Sequence, residues 1–203
     1  MTELNTIHEE RLSVARTLLE SWGLGKLYER WVKGNTGDGN AYHNNQHQLI
    51  VALHGYRLGY KFMNQFRGHS EVLFLTGLYH DYDHTGDPQK ADSVNIERAV
   101  AAWRRHTTDL GIKKSNLVEL LIKATQNDLS QTELATMSST SERRNLVELI
   151  RECDYAYILE PDWRDWVHDL STELNTPVTI DGTKEFIKNR NLRFLEFHDF
   201  LKI

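Results

Sequence analysis

The sequence predicts an all-α fold, a bundle of about seven to nine helices. Apolar residues recur at three- and four-residue spacing along most of its 203 positions, strand-like alternation is almost absent, and only three prolines interrupt the chain. An apolar content of 39% suffices for a substantial core, and the length suits one domain over residues 1–203.

Between about Asn5 and Val32, Leu12, Ala15, Leu18, Leu19 and Trp22 share a helical face, and Gly23 and Gly25 kink or end that segment. Gly34 to Asn40 reads as a loop. Its three glycines follow no strand and precede no Lys-Ser/Thr pair, so it is a turn without assigned chemistry. Two more helices are expected from Tyr42 to about Phe66 and from Ser70 to His84. The second is apolar on nearly every face through Val72–Leu75, Leu78 and Tyr79, which marks a buried helix. Gly86-Asp87-Pro88 stops it, and Ala91 to His106 follows with Ala99, Val100 and Trp103 inward.

Leu117–Ala124 and Leu146–Leu159 show the same period, and Ser139 and Glu142 between them have the spacing of a capping box. Pro161 closes that helix. Trp163, Trp166 and Leu170 mark a short one, and Phe186, Leu192, Leu195 and Phe200 suggest a last. Val178-Thr179-Ile180 is strand-like but too short for a sheet.

Composition narrows the partners. The net charge is -5, with Lys and Arg dispersed among Asp and Glu, so no basic stripe favours a nucleic acid. No apolar run approaches the ~20 residues of a membrane span, and the first residues show no basic segment leading into an apolar one; the expectation is a soluble, cytoplasmic protein. One cysteine, Cys153, excludes an internal disulfide and reads as a small buried residue.

The strongest chemical signal is His80-Asp81-Tyr82-Asp83-His84, at the end of the helix expected deepest in the core. Unpaired imidazoles and carboxylates are costly to bury, so metal binding is the economical explanation. On a helix, His80 and His84 share a face, with Asp81 about 100° round from His80. His43 and His47 repeat the four-residue spacing on the preceding helix, so four imidazoles are aimed at one pocket. Asp154, flanked by Ile150, Ala156 and Ile158, needs a partner too and is the candidate that closes the site. His8, His54, His69, His106, His168 and His198 read as ordinary core or surface histidines.

Tyr42-His43-Asn44 with His47, followed by His80-Asp81-Tyr82-Asp83-His84-Thr85-Gly86, resembles the paired signatures of the HD superfamily of metal-dependent phosphohydrolases. The HDxDHxG form is closest to class I cyclic-nucleotide phosphodiesterases, whereas the size is similar to small HD phosphohydrolases of bacteria and phages, some of which act on nucleotides. The resemblance implies an HD-domain helical bundle with His47, His80, Asp81 and Asp154 as metal ligands and Asp81 able to bridge two ions. It further implies His43 as proton donor, with His84 beside the donor and the attacking hydroxide. Ala124 to Asp128 resembles a further family segment, but Gln126 stands where an acid is expected.

Mixed imidazole and carboxylate ligands suit one or two divalent ions, Mn, Fe, Zn, Co, Ni or Mg. The expected reaction is hydrolysis of a phosphoester or phosphoanhydride in a small nucleotide by metal-activated water. Lys90, Arg98 and Lys123 are candidate cations for the phosphoryl oxygens. Two other classes compete: a di-iron oxygenase, which calls for further histidine ligands, and a non-catalytic nucleotide-binding protein, which tolerates loss of His43 or a ligand.

Overall fold

A computed structural model describes residues 3–62, 68–190 and 192–195. Ten α-helices and one 3-10 turn make up its elements, with no strand among the described residues, so the all-α expectation holds and the helix count exceeds the expected range by one. They are α1 (Glu3–Ser21), α2 (Gly25–Gly34), α3 (Asn45–Lys61), α4 (Ser70–Tyr79), α5 (Asp92–Thr107) and α6 (Ser115–Ala124). Then follow α7 (Gln131–Met137), α8 (Ser141–Cys153), the 3-10 turn Ala156–Leu159, α9 (Trp163–Leu174) and α10 (Ile180–Asn189).

The difference in count has local causes. Gly23 adopts φ 74°, a left-handed conformation that separates α1 from α2. The short α7 starts at a capping box formed by Ser130 and Glu133, outside any apolar periodicity. The box expected at Ser139 and Glu142 does not form; Thr140 caps α8 instead, accepting the Arg143 N–H. Val178–Ile180 is no strand either, because the Thr179 hydroxyl accepts the Gly182 N–H and caps α10. The last helix therefore starts at Ile180 and ends at Asn189; Phe200, like Phe66, lies outside the described residues.

Helices α3 and α4 form the centre. Every residue of α4 from Val72 to Tyr79 is buried, as its apolar composition predicts. Close approach is possible because α4 carries Gly77 at the crossing: a Cβ there would lie 2.4 Å from Ala52 Cα on α3. Buried polar contacts lock the pair. Trp31 of α2 donates its indole N–H to Gln48 Oε1 and Leu78 O, both at 2.9 Å, and Gln48 donates to Asp81 O at 3.0 Å. No described helix is long and apolar enough to cross a membrane.

Candidate metal centre

Helix α4 stops at Tyr79, so the motif that follows is built on turns. The Tyr82 N–H donates to Tyr79 O and the His84 N–H to Asp81 O, while Asp83 takes φ 61°. His80 and His84 consequently do not share a helical face. His43 likewise precedes α3, whose N-cap is Asn44, accepting from the Gln46 and His47 N–H groups. The cause is the loop after α2. Asp83 accepts from the Thr36 N–H and hydroxyl, Asn35 Oδ1 accepts the Asp83 N–H, and Asn40 donates to His84 O. A segment expected to be a plain turn thus shapes the site.

Asp154 is also not within a helix. Helix α8 ends at Cys153, and Asp154 occupies the break before the 3-10 turn, where its side chain meets the two histidines. All four expected ligands come together: His47, His80, Asp81 and Asp154 offer atoms within 4.8 Å of one another. His80 Nε2 lies 2.9 Å from Asp81 Oδ2, 3.3 Å from Asp154 Oδ1 and 3.2 Å from His47 Nε2. His47 Nε2 lies 3.1 Å from Asp154 Oδ1 and 3.3 Å from Asp81 Oδ2. Around an ion with bonds of about 2.1 Å, adjacent ligand atoms are separated by roughly 3.0 Å in octahedral and 3.4 Å in tetrahedral geometry. The residues therefore fit a divalent ion.

The surroundings support this fit. His80 Nδ1 donates to Gly77 O at 2.8 Å, which leaves the Nε2 lone pair facing the cluster. Both imidazoles are buried, whereas the Asp81 and Asp154 side chains are 12% and 19% exposed, so the carboxylates face the opening. Burial disfavours charge on His80, but Asp81 and Asp154 outweigh it and hold the imidazole well above its usual range. Burial also opposes ionisation of Asp81 and Asp154; His80 with His43 for the first, and His47 with His80 for the second, pull both below the usual carboxylate range.

A second group adjoins the first. His43 and His84 stack with ring centroids 3.8 Å apart, and Glu173 of α9 lies beside both. Glu173 Oε2 accepts the Tyr42 and His43 N–H groups at 2.7 and 3.0 Å, and Oε1 meets His43 Nδ1 at 2.5 Å. Burial lowers the His43 affinity for a proton, yet Asp81 and Glu173 raise it above the usual value. His84 is driven down to about 4, by burial first and then by His43. Glu173 escaped sequence reading because it stands in Ser171-Thr172-Glu173, far from any histidine motif, and its partners are backbone donors that no pattern advertises.

Beside the cluster opens a cavity of about 580 Å³, whose lining includes His43, Asp154, Tyr155, Leu174, Phe186 and Arg190. The Arg190 guanidinium sits over the Phe186 ring, 4.4 Å from its centroid. None of the three expected cations lines this cavity: Lys123 pairs with Glu119, Arg98 donates to Thr36, and Lys90 stands apart in an exposed turn. Arg190 instead lines it, together with Gly182, Thr183 and Phe186 of α10. Asp128 joins neither cluster; it accepts from Gln126, and the Ala124 and Gln126 carbonyls accept from Arg151.

The fold and site together define an all-helical protein with a buried His/Asp cluster able to bind a metal ion, an arrangement loosely compatible with an HD domain. No protein-family model matches the chain, and no curated protein matches it.

Proposed function

We propose that the protein is an HD-type phosphohydrolase that cleaves a phosphoester or phosphoanhydride bond in a small nucleotide with the help of one or two divalent ions. The observation that carries this reading is the convergence of His47, His80, Asp81 and Asp154 at ligand-to-ligand spacing, directly beside the His43–Glu173 pair. These four residues would hold a divalent ion, which when bound would supply Lewis-acid chemistry, making water more acidic and polarising the phosphoryl group.

The chain's own groups account for the rest. His43 holds its Nδ1 hydrogen against Glu173, and its Nε2 faces the metal cluster, 4.0 Å from Asp81 Oδ2. With its proton affinity raised, Nε2 is the donor to the leaving oxygen. The adjoining cavity is large enough for the nucleoside part, and Tyr155, Phe186 and Arg190 present aromatic and cationic surface to it. Gln126 and Asp128 bring no further ligand to the cluster, so a di-iron oxygenase reading would have to draw its further histidine ligands from His43 and His84, which with Glu173 form a second group able to hold an ion.

The test is product release from cyclic mononucleotides, cyclic dinucleotides and linear (deoxy)nucleotides, with Mn, Mg, Zn and Co added in turn. Turnover of at least one class with a metal present is expected. Failure to cleave any phosphate compound under any metal would remove the proposal.

A further inference from the structure

A second cavity, of about 500 Å³, adjoins the one beside the metal cluster, and Tyr155 and Arg190 line both. Its wall carries four guanidinium groups, those of Arg144, Arg151, Arg190 and Arg193, against two carboxylates, Glu148 and Glu152. Both carboxylates are already engaged. Glu148 pairs with Arg193, and buried Glu152 accepts the Arg193, Phe194 and Leu195 N–H groups. Arg151 donates one nitrogen to the Ala124 and Gln126 carbonyls, and Arg190 lies over the Tyr155 and Phe186 rings. Among the described residues neither of these nor Arg144 meets a carboxylate, so three positive charges around this cavity have no acidic partner. Guanidiniums grouped in this way suit a phosphate, which takes both their charge and their forked N–H pairs.

Helix α8 sets the distance between this charge and the metal cluster. Arg144, Val147, Glu148 and Arg151 follow one another at three- and four-residue spacing along its cavity side, and the metal-ligand candidate Asp154 caps its end. At about 1.5 Å per residue, Arg144 stands about 15 Å from Asp154 along the helix axis and Arg151 about 5 Å. A mononucleotide whose one phosphate lies at Asp154 therefore has no anion to offer Arg144. A linear nucleotide of two units has one, because its second phosphate lies beyond the first nucleoside.

We propose that the arginine-lined cavity binds a phosphate other than the one cleaved, carried by the same molecule, so that the substrate is a linear nucleotide of at least two units. This rests on the phosphohydrolase reading of the metal cluster. The first nucleoside occupies the cavity of Tyr155 and Phe186, and the second phosphate is held by Arg144 and Arg151.

The probes are a linear deoxyadenylate dinucleotide with a terminal phosphate, deoxyadenosine monophosphate and inorganic phosphate. Each is titrated by calorimetry into the His43→Gln chain with Mn present, which keeps the ligand intact. Arg144→Glu in that background is the decisive variant, because the side chain is exposed and has no partner among the described residues whose loss would unsettle the fold. The dinucleotide should bind about tenfold or more tighter than the monophosphate. Arg144→Glu should reduce that ratio to less than about twofold and leave the affinity for the monophosphate within about twofold of its starting value. Arg144→Lys, which keeps the charge and loses the fork, should fall between the two.

A dinucleotide bound no more tightly than the monophosphate, or an advantage that survives Arg144→Glu, overturns the inference. So does inorganic phosphate whose binding is lost in Arg144→Glu while the dinucleotide shows no advantage, since the cavity then serves a free anion. Binding is read without turnover, so the two proposals fail separately. An Arg144-dependent preference for the dinucleotide in a chain that cleaves no phosphate compound removes the phosphohydrolase reading and leaves the phosphate site standing; cleavage without that preference does the reverse.

Discussion

Replacing Glu173 with Gln isolates the charge that anchors His43. The substitution keeps the size of the side chain and one oxygen to accept the Tyr42 and His43 N–H groups, while removing the carboxylate that meets His43 Nδ1. Burial raises the proton affinity of Glu173, but His43 and the two backbone donors win and carry its pKa from 4.5 to about 2 on folding. The Glu173 side chain is only 5% exposed, so solvent screens this little. A pKa lowered by that amount corresponds to about 3 kcal/mol of stability at neutral pH. Because the folded value lies below the unfolded one, that stability is fully present above 4.5 and is lost as pH falls toward 2. Urea denaturation of wild type and Glu173→Gln should therefore differ by about 3 kcal/mol near pH 7 and by about half of that near pH 3. A gap that does not change with pH, or one below about 0.5 kcal/mol at neutral pH, would refute the reasoning.

Three further outcomes follow from the same geometry. His43→Gln should lower kcat by about 10² to 10⁴ while leaving the metal content unchanged, as measured by steady-state kinetics and elemental analysis on the same sample. Gly77→Ala forces a methyl group to within 2.4 Å of Ala52 Cα and should cost about 2 kcal/mol or more in urea denaturation; a variant as stable as wild type would contradict the close α3–α4 crossing. Phe186→Ala, which strips an aromatic wall from the cavity, should raise KM for a cleaved nucleotide several-fold while leaving cleavage of p-nitrophenyl phosphate nearly unchanged.

The buried helix at the centre was legible because apolar residues cover every face of Val72–Tyr79, a pattern that only a core position tolerates. That His47, His80, Asp81 and Asp154 come together was legible for a related reason, since imidazoles and carboxylates beside such a helix need a common partner. Their backbone setting was not legible. The four-residue spacing of His80 and His84 suggests a shared helical face, yet Asp83 at φ 61° turns the chain, and that conformation depends on Asn35 and Thr36 some fifty positions earlier in the chain. Glu173 stayed hidden for the same cause: it makes a long-range contact with a loop whose path the sequence does not encode locally. Arg190 reaches the cavity wall through the packing of α10, whereas the cations nearer the motif in sequence point elsewhere.

The most direct measurement is the metal content of the purified chain after dialysis against Mn, Zn, Co or Ni. The cluster of His47, His80, Asp81 and Asp154 predicts at least about one tightly held ion per wild-type chain, and loss of that ion in Asp81→Ala and in His80→Ala with the helical circular-dichroism signal retained. A wild-type chain that retains none of these ions, or variants that retain as much as wild type, would contradict it.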